Sequence, residues 1–302
     1  MTQSVGYIGL GAIGAPMAER IALAGFDLTV WNRTSDKMRP LIAKGARAAG
    51  SAAEVGAATD TVFLCLDSAY AVEAVVFGPQ GVAAGGRTKL IVDNSTLHPK
   101  VTIEMAQRLR AEHGIGWVDA PVSGGPGGAQ AGTLASFAGG TTEEFERARP
   151  MIAAYSGTIT HMGGQGAGQA TKICNQVINF ATMMAIAEAC SLSQCFGLDS
   201  DLLPQALAGG FADSNMLKEY GRANAIAPDH GLARLMNSFA GFMQGRIDPS
   251  YAGRMQIALK DVGIAMDMGR EVGSPMMITG VVDNVMRVLH YQKPNGERPP
   301  AT

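Results

Sequence analysis

The sequence predicts an α/β fold, in which an N-terminal doubly wound parallel sheet is joined by a long helix to an all-α C-terminal domain. Up to about residue 165, short continuous apolar runs alternate with amphipathic stretches of helical length. This alternation is typical of parallel strands that helices cover on both faces. Beyond residue 165 the strand-like runs end and helical periodicity continues. The expected strands are residues 5–8, 26–31, 61–66, 90–93 and 116–119.

The same patterns divide the chain into two domains, 1–165 and 166–293, and a Pro-rich tail, 294–302, that is expected to fray. A glycine-rich junction at 163–168 precedes the longest predicted helix, 170–195. Further helices are predicted around 202–207, 254–272 and 276–290.

Composition argues against several classes of protein. The 24 basic and 26 acidic side chains leave a net charge of −2, without the basic excess that a nucleic-acid binder needs. With 47% hydrophobic and 17% charged residues, the chain can bury a large core and is not disordered. Glycine accounts for 39 of 302 residues, near twice the usual share of about 7%. Part of this surplus is expected to serve sharp turns and close approach to a ligand.

We expect neither a membrane span nor a metal site, and we predict a cytoplasmic protein. The N-terminus lacks the positive charge of a signal peptide. The longest apolar stretch, 173–187, contains Asn175, Gln176 and Asn179, which makes it too short and too polar to cross a bilayer. The four cysteines show no CxxC spacing and are predicted to be core thiols in a reducing compartment; they are Cys65, Cys174, Cys190 and Cys195. The five histidines show no metal-ligand spacing; they are His98, His113, His161, His230 and His290.

A glycine motif follows the first predicted strand and opens a helix. It reads Gly9-Leu10-Gly11-Ala12-Ile13-Gly14, which matches GxGxxG in the strand–turn–helix context of a dinucleotide-binding Rossmann fold. In such a site the first glycine permits the tight turn, the second lets the backbone approach the pyrophosphate, and the third allows close packing. The alternative is a glycine-rich turn in some other α/β protein.

The end of the second strand bears on the choice of cofactor. NAD sites usually place an acidic residue about 20 positions after the glycines, whereas an arginine accommodates the 2′-phosphate of NADP. Here Asn32 lies 18 residues after Gly14 and is followed by Arg33 and Thr34. We therefore predict that the cofactor is NADP, with NAD possible. The alternative interpretation is that Arg33 is a solvated loop residue.

Two further segments carry candidate chemistry. Ser123-Gly124-Gly125 follows the last predicted strand, where a hydroxyl and backbone N–H groups can hold one carboxylate. Lysine is scarce, yet Lys172 opens the apolar helix, and desolvation there would make it a candidate proton donor and acceptor. Asn175 and Gln176 share its helix face and could hold the same substrate. The alternatives are glycines that only form turns and a lysine that reaches solvent.

Together these motifs resemble the β-hydroxyacid dehydrogenases, a family that includes 3-hydroxyisobutyrate dehydrogenase and tartronate semialdehyde (2-hydroxy-3-oxopropionate) reductase. The resemblance rests on residues 9–17, 119–134, 172–176 and 259–261, in order and over nearly the whole chain. Gln176 and the segment 209–214 are most similar to the tartronate semialdehyde reductases. The chain departs from the family pattern at 65–68 and by extra sequence around 223–239.

The resemblance implies that Lys172 is the general acid/base and that Ser123, Gly124 and Gly125 bind the substrate carboxylate. It implies that the segment 94–96 and the loop containing Leu66 lie near the nicotinamide, that Lys260 approaches the cofactor, and that Asp261 orients the local structure. The motifs and the resemblance together predict the following site residues: for catalysis, Lys172, Ser123, Asn175 and Gln176; for substrate, Ser123, Gly124, Gly125 and Gln176; for cofactor, Gly9, Leu10, Gly11, Ala12, Ile13, Gly14, Asn32, Arg33, Thr34, Leu66, Thr96 and Lys260.

The function predicted from this resemblance is NADP-linked reduction of a small β-oxo acid or semialdehyde by a homodimer or homotetramer. The alternatives are an NAD-linked dehydrogenase of the 3-hydroxyisobutyrate or L-serine type, an imine reductase, and a non-catalytic dinucleotide-binding protein. Imine reductases typically have Asp or Tyr in place of the lysine, so Lys172 counts against them. A binding protein would have little reason to keep Ser123, Lys172 and Lys260 together.

Overall fold

The structure, a computed structural model, describes residues 3–228, 231–246 and 255–291. A single sheet of nine strands forms in the first part of the chain. The strands are β1 Ser4–Ile8, β2 Asp27–Trp31, β3 Arg47–Ala48, β4 Thr61–Leu64, β5 Leu90–Asp93, β6 Gly116–Asp119, β7 Val122–Ser123, β8 Leu134–Gly139 and β9 Ser156–Gly163.

The sheet has the doubly wound order β3-β2-β1-β4-β5-β6, with every pair in this series parallel. Strand β8 then pairs antiparallel with both β6 and β7, and β9 pairs parallel with β8. The strand order reverses between β1 and β4, and ligands of open α/β sheets bind at such a switch point, beyond the carboxyl ends of the strands. The predicted fold class is confirmed, and all five predicted strands are present.

Helices connect the strands and make up the rest of the described chain. They are α1 Gly14–Leu23, α2 Arg39–Ile42, α3 Ala52–Ala58, α4 Ala69–Phe77, α5 Pro99–His113, α6 Gly125–Ala131, α7 Thr142–Ile152, α8 Ala167–Cys195, α9 Leu203–Ala206, α10 Asn215–Ile226, α11 Gly231–Met243, α12 Gln256–Val272 and α13 Met277–Tyr291. Local signals set several boundaries: α5 begins at Pro99 and ends before Gly114, which has φ +66°, and α7 begins with a Thr141–Glu144 capping box.

Alternate side chains of the central strands enter two apolar cores, one on each face of the sheet. Tyr7 and Phe63 belong to the core that also contains Met17 of α1. The neighbouring residues Ile8 and Leu64 belong to the core formed with α3, α4 and α5. Because both faces are covered, the strands are apolar throughout their length, which is why their runs could be predicted.

The chain forms two compact units, and the division falls within α8, after Ile173. The second unit has its own core, in which side chains of α8 pack with those of α10, α11, α12 and α13. Of the extra sequence around 223–239, residues 223–226 form the end of α10 and residues 231–239 form most of α11. Arg254, the expected start of one helix, and the tail 294–302 lie outside the described residues.

Helix α8 has 29 residues and, by length and composition alone, could cross a membrane, with a hydropathy of 1.2 in its most apolar window. In the structure, 44% of that window is buried. Helices in the cores of soluble proteins can be equally long and apolar, so length and composition alone do not identify a membrane span. Helix α8 also carries Lys172 and Gln176, both of them buried. The prediction that the chain does not span a membrane stays a prediction.

All four cysteines are free thiols, but they are not all in the core. Cys190 is buried and Cys65 is half-buried, whereas Cys174 and Cys195 are exposed on α8. The expectation of four core thiols is therefore wrong for these two. The apolar residues around them in sequence occupy other faces of the same helix, so an apolar neighbourhood in sequence did not imply burial.

Candidate active site

The glycine motif forms the turn between β1 and α1. Gly9 has φ +97°, and a Cβ there would overlap the carbonyl oxygen of Cys65. A Cβ on Gly14 would overlap the carbonyl oxygen of Gly9. At Gly11, by contrast, a Cβ would meet no atom within 4 Å. The open backbone at Gly11 and the closed surroundings of the other two fit a turn that receives a pyrophosphate.

Asn32, at the end of β2, supports this turn. Its Oδ1 accepts a hydrogen bond of 2.9 Å from the backbone N–H of Leu10, and its Nδ2 donates to the carbonyl of Thr34. Arg33 and Thr34 are exposed. The nearest acidic residue along the chain, Asp36, forms a surface ion pair with Arg39. Asn32 thus orders the glycine turn, and Arg33 is an exposed cation directly after it.

The loops after β4 and β5 are joined by hydrogen bonds. The backbone N–H of Leu66 donates to Ser95 Oγ at 2.9 Å. The N–H of Ser95 donates to Oδ1 of Asp93, which is completely buried. Asn94 donates through Nδ2 to the carbonyl of Ala120, after β6. The segment containing Thr96 is therefore anchored to both neighbouring strands.

Lys172 and the Ser123 loop come together in the first unit. Lys172 is only 8% exposed, and its Nζ donates a hydrogen bond of 2.8 Å to the carbonyl of Val122. The next residues are Ser123, which pairs with Ala135 of β8, and two glycines with positive φ, Gly124 at +130° and Gly125 at +65°. The loop is exposed at both glycines. The Lys172 Nζ thus contacts the residue directly before a loop that offers a hydroxyl and backbone N–H groups.

Asp119 fixes the start of α8. Its carboxylate accepts hydrogen bonds from the backbone N–H groups of Gly166, at 2.8 Å, and Gln169, at 2.9 Å. Burial raises the pKa of Asp119 to about 6, although these backbone donors act in the opposite direction. Our sequence reasoning gave Asp119 no role. A carboxylate that ends a fully apolar strand is the signal that could have found it, because a buried charge needs partners.

In the second unit, Gln176 is held on both sides. Its Nε2 donates to Asp261 Oδ2 at 2.6 Å, and its Oε1 accepts from Asn175 Nδ2 at 3.0 Å. Lys260 Nζ lies 3.5 Å from Asp261 Oδ1. The approach of Lys260 to a cofactor, and of Gln176 to a substrate, stays a prediction.

Among the described residues, no group of three His, Cys, Asp or Glu side chains could hold a metal ion.

Two family models match the chain. Residues 4–164 match the NAD binding domain of 6-phosphogluconate dehydrogenase. Residues 166–298 match the NAD-binding domain of NADP-dependent 3-hydroxyisobutyrate dehydrogenase.

The chain is also similar to individual dehydrogenases and reductases. The chain is 33% identical to 2-(hydroxymethyl)glutarate dehydrogenase of Eubacterium barkeri, covering 93% of this chain and 87% of that protein. It is 38% identical to 2-hydroxy-3-oxopropionate reductase of Escherichia coli over 72% of this chain and 74% of that one. The solved structure of Mycobacterium tuberculosis 3-hydroxyisobutyrate dehydrogenase with L-serine has a TM-score of 0.73 and 28% identity, and covers 95% of this chain and 93% of its own.

A nucleotide turn at the switch point of a doubly wound sheet, followed by a helical domain, defines a dinucleotide-dependent oxidoreductase. The matches narrow this class. The chain belongs to the β-hydroxyacid dehydrogenase family, and it is an NAD(P)-dependent oxidoreductase that acts on CH–OH groups.

Proposed function

We propose that this protein uses NADP(H) to interconvert a small β-hydroxyacid and its semialdehyde, with Lys172 as general acid/base. The observation that carries the proposal is the position of Lys172, which is buried and whose Nζ lies 2.8 Å from the carbonyl oxygen of Val122, directly before Ser123. A proton carrier and a carboxylate-binding loop in contact are what a hydroxyacid dehydrogenase requires.

In the proposed reduction, the nicotinamide supplies the hydride when the cofactor is bound. Lys172 Nζ gives a proton to the carbonyl oxygen of the substrate, and in the oxidative direction it removes the proton from the hydroxyl. The carbonyl of Val122 accepts a hydrogen bond from Nζ and so restricts its direction.

The substrate carboxylate is proposed to bind at Ser123, Gly124 and Gly125. The hydroxyl of Ser123 and the backbone N–H groups of both glycines are donors, and charge-assisted hydrogen bonds to a carboxylate are the stronger kind. Gln176 is proposed to assist, because an amide nitrogen carries two N–H groups and only one of them is needed for Asp261. Lys260 is proposed to approach the cofactor.

The proposed preference for NADP rests on Arg33 and Thr34, which are exposed after β2 with no carboxylate at that position. An arginine can bind a phosphate through two N–H groups at once. The measurement is kcat/KM for NADPH and NADH, in wild type and in Arg33→Ala. We expect wild type to prefer NADPH and the variant to lose most of that preference. An equal or better kcat/KM with NADH in wild type would contradict it.

The substrate class is supported by the 38% identity to an enzyme named 2-hydroxy-3-oxopropionate reductase. A panel should include tartronate semialdehyde, methylmalonate semialdehyde, 3-hydroxyisobutyrate and L-serine, each with both cofactors. Highest kcat/KM on a semialdehyde with NADPH is expected. Highest kcat/KM on 3-hydroxyisobutyrate or L-serine with NAD would instead favour a dehydrogenase of that type, and no turnover on any of them would favour a dinucleotide-binding protein.

The role of Lys172 is tested by Lys172→Ala, with Lys44→Ala as the control. Lys44 is a surface residue that pairs with Glu19. Loss of a general acid/base typically costs about 10²- to 10⁴-fold in rate. We expect kcat to fall by that order in Lys172→Ala while the Kd for NADPH stays within about threefold, and no change in Lys44→Ala. A near-wild-type kcat in Lys172→Ala would defeat the mechanism.

A further inference from the structure

The side chain of Gln169 joins the first turn of α8 to the loop that follows β5. It is completely buried. Its Oε1 accepts a hydrogen bond of 3.0 Å from the backbone N–H of Leu97, and its Nε2 donates one of 2.8 Å to the carbonyl of Ser95. One side-chain amide therefore pairs with the peptide groups on either side of Thr96, much as a residue of a parallel strand would.

The backbone of the same residue is fixed from the other direction. The N–H of Gln169 donates to Asp119 Oδ2 at 2.9 Å, and Asp119 Oδ1 accepts from Gly166. Lys172 follows three residues later on α8, with its Nζ on the carbonyl of Val122. Gln169 is thus the residue through which the helix that carries Lys172 and the loop that carries Thr96 are held in one arrangement.

We propose that Gln169 is a positioning residue for the reaction, which sets the position of Thr96 relative to Lys172. This inference rests on the proposed function, in which Thr96 lies at the nicotinamide and Lys172 carries the proton. A misplacement of about 1 Å between reacting groups can reduce a rate about 100-fold. An apolar residue of equal size at 169 leaves the peptide groups of Ser95 and Leu97 without these partners, so the loop shifts.

The test compares Gln169→Met with Gln165→Met. Methionine retains the approximate volume of glutamine but cannot form either hydrogen bond. Gln165 is half-buried four residues earlier, and its Nε2 donates to Glu144 at 3.3 Å, away from the Thr96 loop. In Gln169→Met we expect at least a tenfold lower kcat, a KM for the carboxylate substrate within twofold of wild type, and a larger isotope effect on kcat with NADPH deuterated at the transferred position.

In Gln165→Met all three quantities should stay within twofold of wild type. A kcat within twofold of wild type in Gln169→Met would overturn the inference, as would an equal loss in Gln165→Met. If Gln169→Met does not fold, Gln169→Asn takes its place, because its amide is one methylene shorter and cannot reach Ser95 and Leu97 in the same geometry. A lowered kcat at unchanged KM is again expected, and a wild-type kcat would again overturn the inference.

Amide hydrogen exchange tests the same contact without turnover. Exchange in the segment 95–97 should be at least tenfold faster in Gln169→Met than in wild type, and unchanged in Gln165→Met. Unchanged exchange in Gln169→Met would overturn the inference by itself. A wild-type protein without activity on the panel would instead count against the proposed function, and the exchange result would still decide whether Gln169 holds the loop.

Discussion

At the scale of single residues, the three glycines of the nucleotide turn have different reasons for being glycine. Gly9 and Gly14 are required by the protein itself, because a Cβ at either position would overlap a backbone carbonyl oxygen. Gly11 is exposed, and a Cβ there would meet no protein atom within 4 Å. These surroundings fit the separate roles that the motif predicts: Gly9 and Gly14 meet the packing needs of the protein itself, and Gly11 leaves room for the expected ligand.

Alanine substitutions should therefore separate stability from binding. Gly14→Ala is expected to lower the free energy of unfolding by about 1–3 kcal/mol, the usual cost of overpacking. Gly11→Ala should leave the free energy of unfolding unchanged or slightly higher, because it only reduces the freedom of the unfolded chain. It should weaken NADPH binding at least tenfold. The measurements are urea denaturation and fluorescence titration, and wild-type affinity in Gly11→Ala would contradict the role given to this glycine.

Asp119 should make stability depend on pH. Its pKa is raised by burial from 3.8 to about 6, so the folded state binds this proton more tightly than the unfolded state. The free energy of unfolding should therefore fall as pH rises from about 4 to 6, by at most ~3 kcal/mol. Asp119→Asn lacks this titration. The difference between wild type and Asp119→Asn in urea denaturation should change over this interval and be constant above it; a constant difference throughout would contradict the assignment.

At the scale of secondary structure, the first turn of α8 lies very close to the sheet. A Cβ on Gly168 would overlap the carbonyl oxygen of Phe137 and lie 2.6 Å from that of Asp119. This close approach is what allows Asp119 to accept hydrogen bonds from backbone groups of the helix. A Cβ on Gly164, just before the helix, would instead meet no atom within 4 Å.

Gly168→Ala and Gly164→Ala form a matched pair for this contact. Gly168→Ala requires backbone atoms of the helix or of β8 to move, so we expect a loss of about 1–3 kcal/mol in the free energy of unfolding. It should also lower kcat, because the helix that carries Lys172 shifts. Gly164→Ala should change neither quantity appreciably. Equal stabilities of the two variants in urea denaturation would argue against close packing at Gly168.

The elements predicted from sequence are those whose burial matches their pattern. The five predicted strands lie in the interior of the sheet, and their continuous apolar runs reflect cover on both faces. Four strands were not predicted. Strand β9 has mostly exposed and polar side chains, β8 has an apolar run interrupted by Ser136 and Gly139, and β3 and β7 have only two residues each, which carry no pattern. Helix α8 begins at Ala167, three residues before its predicted start, because Asp119 provides acceptors for its first turn.

At the scale of the whole molecule, those residues of the candidate site that belong to sequence motifs could be predicted. Residues whose proposed role depends on tertiary contacts could not. Gly9, Ser123 and Lys172 belong to patterns that have a physical meaning in sequence. Gln169 does not: a glutamine three residues before a lysine has no significance until Ser95 and Leu97 are brought to it from more than 70 residues away. Positioning residues of this kind depend on tertiary contacts, which a single sequence does not contain.

The distribution of exposed apolar side chains bears on the predicted homodimer or homotetramer. Among the described residues, most of the large exposed apolar side chains belong to the second unit, and α13 alone exposes Met277, Ile278, Val281 and Val288. Exposed apolar surface of this kind is commonly covered by association with another chain. Light scattering should give a mass two or four times the chain mass of 31.4 kDa.

The double variant Ile278→Glu/Val281→Glu should reduce the mass measured by light scattering, because a charge buried in an apolar contact is costly to desolvate. Leu23→Glu is the control, since Leu23 is 71% exposed in the first unit and should leave the mass unchanged. A wild-type mass equal to that of one chain would contradict the predicted oligomer. An oligomeric wild type whose mass is unaffected by the double variant would place the subunit contact elsewhere than on α13.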